Sequence, residues 1–141
     1  MIARRPRRRR RLAAFLAARA FALLWAAPWT VTGLALAAAL LALGGRARWI
    51  DGALEVAPRR PPRRAWPFAA ITLGHVVLGV DPVALARVRG HERVHVRQYE
   101  RYGPFLVPLY LLASAWVWVR GGHPYRDNPF EREARQGAAG C

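Results

Sequence analysis

The segment between Asp81 and Pro104 is bracketed so tightly that a single helix is the reading it admits best. Asp81-Pro82 supplies an N-cap acceptor and then a proline at the first helical position, and Gly103-Pro104 supplies the stop. Between them Val83, Leu85, Val88, His91, Val94, His95, Tyr99 and Tyr102 keep a helical spacing, which predicts a helix of about 20 residues. Its second half contains His91-Glu92-Arg93-Val94-His95, an H-E-x-x-H pattern. Residues four apart stand one above the other on a helix, so His91 and His95 can direct two imidazoles at one metal ion. Glu92, one residue round the helix, can reach a water bound to that metal. The competing reading is a surface helix whose histidines and glutamate are merely solvated.

What precedes this helix is apolar and basic by turns. Residues 12–43 carry Arg19 as their only charge, and residues 20–43 are uncharged, about 36 Å of helix and enough to cross a bilayer. Pro28, flanked by Trp25 and Trp29, interrupts the run. Two forms of a membrane anchor follow: one kinked span, or a shallow hairpin of two helices of about 15 residues each. A cleaved signal peptide is a third reading, and a retained anchor is preferred because the apolar run is long for a signal. Residues 1–11 read as a disordered basic arm. The chain is 54% hydrophobic yet carries a formal charge of +15, a pairing that suits a membrane protein with basic flanks. All 23 basic residues are arginine, a bias typical of GC-rich coding, so the charge is weak evidence for a nucleic-acid partner. Anionic lipid headgroups are the partner expected for the arginines. Eight arginines at or before Arg19 against six closely following the apolar run favour a cytoplasmic N-terminus. The single cysteine, Cys141, excludes an internal disulfide.

After Gly44-Gly45 the pattern becomes β-type, so the fold class expected is α+β. Residues 48–56 place Asp51-Gly52 between two short strands, a hairpin signal. Residues 58–67 form a Pro/Arg loop, lying on headgroups or simply solvated. Residues 70–78 read as one further strand, giving three short strands in a small antiparallel sheet. Residues 105–119 are a second uncharged apolar run, read as an interfacial or core-packing helix. Asn128-Pro129 opens a short C-terminal helix that carries Glu131 and Glu133 in its first two turns.

Two histidines rarely hold a catalytic zinc, which takes three protein ligands and a water. His75, His123, Glu131 and Glu133 are the available third ligands. Glu131 has a competing role, since Asn128-x-x-Glu131 fits a capping box. Gln98, one turn beyond His95, either orients a ligand or faces water. His123 and Tyr125 are candidates for an oxyanion donor and are read first as ordinary loop residues.

H-E-x-x-H on one helix, followed some tens of residues later by the E-x-x-A of Glu131-Arg132-Glu133-Ala134, resembles the gluzincin zinc peptidases. It is especially similar to the integral-membrane kind typified by CAAX prenyl endopeptidases and bacterial heat-shock proteases. H-E-R-V-H-V-R-Q-Y-E-R-Y-G-P with N-P-F-E-R-E-A also resembles short bacterial membrane proteins without an assigned function. The resemblance implies Zn²⁺ held by His91, His95 and Glu131, with residues 44–141 as a minimal zincin-like domain at a bacterial inner membrane. It implies a metallopeptidase in which zinc lowers the pKa of a water to about 7, Glu92 takes its proton, and a peptide carbonyl is attacked. The polypeptide substrate would lie along the edge of the strand at residues 71–78. Arg135 departs from the family, which has aspartate there, a carboxylate that would orient a histidine. Two other readings compete: a non-catalytic membrane anchor or interaction protein that retains a structural or vestigial metal site, and a basic nucleic-acid or lipid binder led by the arginine arm. Oligomeric state and substrate are not specified by the residues.

Overall fold

In a computed structural model, described over residues 5–60 and 67–139, the chain begins with two helices, α1 (Arg5–Trp25) and α2 (Ala27–Ala42). They are bent by 64° at Ala26. Pro28 lies in the first turn of α2, where its missing donor costs nothing, so the bend falls just before it. The bent pair is compatible with one broken span or with a re-entrant loop. The expected disordered arm is corrected: from Arg5 onward it is helical, since arginine is a good helix former and extends a helix nucleated by the apolar run. Residues 1–4 of that arm, and residues 61–66 of the Pro/Arg loop, lie outside the described residues.

Four strands follow: β1 (Arg46–Ile50), β2 (Ala53–Ala57), β3 (Ala70–Leu73) and β4 (Val76–Gly79), in the order β1-β2-β4-β3. Asp51 (φ 43°) and Gly52 (φ 83°) close the β1–β2 hairpin with the two positive φ angles that its tight turn demands. The expected single strand at residues 70–78 is in fact two, β3 and β4, folded back on each other at Gly74-His75. Gly74 takes φ 62°, and a Cβ there would lie 2.1 Å from Thr30 Oγ1 of α2. The sheet is therefore mixed rather than antiparallel, because β4 runs parallel to β2. β3 is left at one edge.

Strand alternation gives the sheet two buried faces. Val56, Val76 and Leu78 meet Ala37 and Leu40 of α2 on one face. Ala53, Ala57 and Val77 meet Leu85 and Val96 on the other, from helix α3 (Pro82–Tyr102). The ends of α3 fall where the capping residues place them: Asp81 Oδ1 accepts from Val83 N and Ala84 N, both at 2.8 Å, and the helix stops at Gly103. A 3-10 turn (Gly103–Phe105) leads into α4 (Leu106–Val119), and α5 (Pro129–Ala139) packs against the outer side of α3. The α1–α2 bend meets the α3–α4 break in a third cluster of Ala26, Tyr99 and Leu106, where Trp29 Nε1 donates to Pro104 O at 3.0 Å. By length and composition the helical run Pro82–Val119 is long and apolar enough to cross a membrane, and the bent α1–α2 pair passes only if read as one broken span.

Gly74→Ala is expected to destabilise the protein by about 2–4 kcal/mol, combining a positive φ with overpacking against Thr30. Thermal unfolding in detergent measures it, and Thr30→Gly should not recover the loss, because the Thr30 backbone also stands in the way and its hydroxyl accepts from His75 N.

Candidate metal centre

Three layers meet at the middle of α3: the sheet on one side, α5 on the other, and the start of α4 above. His91 and His95 point from α3 toward α5, with their Nε2 atoms 3.1 Å apart. Glu131, in the first turn of α5, brings Oε2 to 3.3 Å from His91 Nε2 and Oε1 to 3.4 Å from His95 Nε2. One ligand atom from each of the three lies within 4.8 Å of the others, so the group can hold a metal ion. Glu131 is 3% exposed, and its Oε2 is a buried oxygen without a hydrogen-bond donor among the described residues. A buried carboxylate oxygen lacking a donor, facing two imidazole nitrogens, is an arrangement a cation completes. Two nitrogens and a carboxylate suit a tetrahedral zinc site with one open position, and they also suit Fe(II).

The local sequence explains how Glu131 arrives there. Asn128, fully buried, donates through Nδ2 to Tyr110 O and Ser114 Oγ of α4, while its Oδ1 accepts from Phe130 N. Asn128 thus caps α5 and fastens it to α4 in one residue. Phe130 packs against the rings of Tyr102 and Tyr110, and Ala134 is fully buried, which lets α5 approach α3 closely. The capping-box role is not the one Glu131 takes. Its carboxylate turns inward, where Tyr110 OH donates to Oε1 at 2.9 Å.

Behind the ligands, Gln98 is 2% exposed. Its Nε2 donates to Phe130 O at 3.1 Å and Glu133 Oε2 at 2.8 Å, which turns Oε1 toward His95 Nδ1 at 2.9 Å. An amide oxygen only accepts, so His95 carries its proton on Nδ1 and presents the Nε2 lone pair to the site. Glu133 bonds Gln98 and lies outside the His91, His95 and Glu131 group. Gln98 and Glu133 together fix the orientation of the His95 ring. Arg135 lies 3.9 Å from Glu131 Oε2.

Glu92, also buried, accepts at Oε2 from Thr72 Oγ1 of β3 at 2.6 Å and lines the same cavity as His91, His95 and Glu131. The other two histidines are elsewhere. His75 is buried in the β3–β4 turn, 3.2 Å from Glu100 Oε1, and that oxygen also accepts from Arg19 NH1 at 3.0 Å. His123 Nδ1 accepts from the backbone of Tyr125 and Arg126, so it builds a turn. That turn holds the half-exposed Tyr125 on the cavity wall, where partial burial and the Glu131 carboxylate push its phenol up to about 12. The pairing of Arg19 with Glu100, and the burial of His75, have no periodic signal in the sequence.

Burial alone would raise the Glu131 carboxyl, but in the metal-free site the His91 and His95 imidazoles beside it, and the charge His95 carries when doubly protonated, outweigh it and hold the group well below the carboxylate range. Burial lowers His95, and bonds to Glu131 and Gln98 more than reverse this, raising it above 6.5. The signs follow directly. Without metal, the depressed Glu131 adds stability above pH 4.5 that is lost on acidification, and the raised His95 adds stability below pH 6.5 that is lost as pH rises through its folded value.

No protein-family model matches the chain, and neither a curated protein nor a solved structure matches it. The gluzincin likeness accordingly rests on the two motifs alone. Gln98→Ala is expected to weaken metal affinity about 10- to 100-fold in equilibrium titration with zinc. Metal affinity should fall as pH is lowered below the raised His95 value, because the proton and the metal compete for Nε2. The metal-free protein should be most heat-stable between about pH 4.5 and 6.5.

Proposed function

We propose that this protein is a membrane-associated zinc metallopeptidase in which His91, His95 and Glu131 hold Zn²⁺ and Glu92 is the general base. The observation that carries this reading is the convergence of two Nε2 atoms and a buried, donor-poor carboxylate from separate helices, beside a second buried carboxylate. When bound, the metal supplies Lewis acidity toward a carbonyl oxygen and a lowered pKa for the attacking water. Zinc is favoured over iron because Glu92 adjoins a histidine ligand, where hydrolysis needs a base. Thr72 fixes Oε2 of Glu92, leaving Oε1 to take the proton from water and pass it to the leaving amine. Tyr125 can donate to the carbonyl oxygen as charge develops on it.

The position of β3 supports a polypeptide substrate. Val80 N donates to Ala69 O, and pairing alternates along the register, so the N–H and C=O groups of Ala70 and Thr72 face away from β4. Both residues line the cavity, and an extended chain can add there as a further strand. Membrane association is supported by the large exposed apolar side chains of α1, α2 and α4, among them Phe15, Leu24, Val31, Leu112 and Trp118. We assign the apolar faces to a bacterial inner membrane and the arginines of α1 to anionic headgroups, with a cytoplasmic N-terminus.

Glu92→Gln should retain stoichiometric metal and lose about 10²-fold or more of peptide hydrolysis. Elemental analysis of the purified protein tests the metal: iron in place of zinc, or no metal at all, overturns the reading. Bound zinc with no cleavage of any peptide would favour the non-catalytic anchor.

A further inference from the structure

A second cavity, of about 530 Å³, opens between α1, the β1–β2 turn and α3, and none of the metal-binding group lines it. Four arginines do: Arg19 of α1, and Arg89, Arg93 and Arg97 of α3. The three on α3 are spaced four apart, so they stand in one row along the helix. Ala86 and Gly90 beside that row are too small to fill the space in front of it. We propose that this cavity binds a phosphate group, which neutralises Arg97. The site is separate from the metallopeptidase reading and does not rest on it.

The acids around the cavity are already committed. Glu55 takes two bonds from Arg89, Asp51 accepts from Arg93 at 2.9 Å, and Glu100 accepts from Arg19 at 3.0 Å. Those pairs leave Arg97 as the lining arginine without an ion-pair partner among the described residues. They also hold the other three guanidinium groups in place. Arg93 donates further to the carbonyls of Ile50 and Asp51, and Arg19 lies across Gly52, where a Cβ would come within 2.6 Å of Nη2. A guanidinium carries several N–H donors, and none of these bonds uses them all. Donors fixed in advance bind an anion at little further cost in side-chain entropy. Several guanidinium groups around one space suit the oxygens of a phosphate, and the single uncompensated charge matches a phosphodiester. A phospholipid headgroup and a soluble phosphate compound share this chemistry. Phe15, Leu16 and Leu23 are exposed on α1 within about one turn of Arg19, so acyl chains can run along that helix from the cavity.

The test uses the full-length protein in a maltoside detergent at constant ionic strength. Inorganic phosphate and glycerol 3-phosphate are titrated by calorimetry, and phosphatidylglycerol retained from mixed micelles is counted by native mass spectrometry. At least one of these probes should occupy a single site per chain. Arg97→Gln should weaken that binding about 10-fold or more, whereas Arg48→Gln, the same loss of charge on an exposed position of β1, should change it less than about twofold. Ala86→Glu sets a carboxylate beside the arginine row at an exposed helix position and should abolish binding, so it decides the matter if the Arg97 variant does not fold. His91→Ala should leave binding unchanged, which separates this site from phosphate held at the metal centre. Retention of phosphatidylglycerol alone assigns the cavity to a lipid headgroup, binding of the soluble probes alone assigns it to a soluble phosphate compound, and binding of both with the same Arg97 dependence assigns it to the phosphate group they share. No binding of any probe, equal losses in the Arg97 and Arg48 variants, or a loss in His91→Ala that Arg97→Gln does not reproduce overturns the site.

Discussion

A carboxylate buried at the contact of two helices is tolerated only with partners, and Glu131 finds them in His91, His95 and Tyr110. Much of the surrounding structure follows from keeping it there. Asn128 fixes where α5 begins and attaches that point to α4. Phe130 fills the space between Tyr102 and Tyr110. Farther along, Gly137 against Val94 and Gly90 against Ala138 keep α3 and α5 close enough for a glutamate side chain to reach the imidazoles. Each residue of Asn128-Pro129-Phe130-Glu131 therefore has a separate task, with Pro129 preset for a helix start.

On its other side α3 is held by charge. Arg89 makes two bonds to the buried Glu55 of β2, at 2.7 and 2.9 Å, and Arg93 reaches Asp51 and the carbonyls of the β1–β2 turn. Glu100 meets His75 in the β3–β4 turn. With Glu92 on Thr72, four side chains spread over about three helical turns address the sheet. Bidentate and buried contacts of this kind carry geometric information that apolar packing lacks, so they fix the rotation of α3. That rotation decides that His91 and His95 face α5 rather than the sheet. Arg93, an unspecified position in the H-E-x-x-H pattern, thus helps aim the two positions on either side of it.

The α3 helix, the Asp51-Gly52 hairpin and the C-terminal helix were legible because their signals are local: a cap, a stop, or a turn that needs positive φ. His91, His95 and Glu131 were legible as candidates because the first two share a helix face, and the third came from the likeness of a short motif to a known one. The split at Gly74 was not legible. Residues 70–78 are rich in apolar and β-branched residues on both sides of Gly74-His75, and the fold-back depends on Thr30, more than forty positions away in sequence. The role of α2 was hidden for a related reason. A uniformly apolar helix satisfies a membrane criterion, and its composition does not reveal that one side is small enough, at Gly33 and Ala37, to lie on a sheet. Arg19 read as an intrusion into an anchor because its partner, Glu100, lies 81 residues on.

The position of α2 also changes what membrane attachment can mean here. Its inner face covers Val56, Val76 and Leu78, while the β1 strand at the sheet's edge exposes Arg46 and Arg48. Unpaired edge groups and arginines are not compatible with hydrocarbon, so α2 cannot be immersed on all sides while it stays on the sheet. An arrangement in which only its outer face meets the bilayer satisfies both requirements. The same reasoning reaches the metal centre through α4. That helix exposes Leu111, Leu112, Trp116 and Trp118, yet from its other side Tyr110 and Ser114 bond Glu131 and Asn128. A helix that exposes so much apolar surface depends on its surroundings to stay in place. The donor to Glu131 and the anchor for α5 therefore stand on an element that lipid would stabilise, and attachment to a membrane would be linked energetically to the geometry of the site.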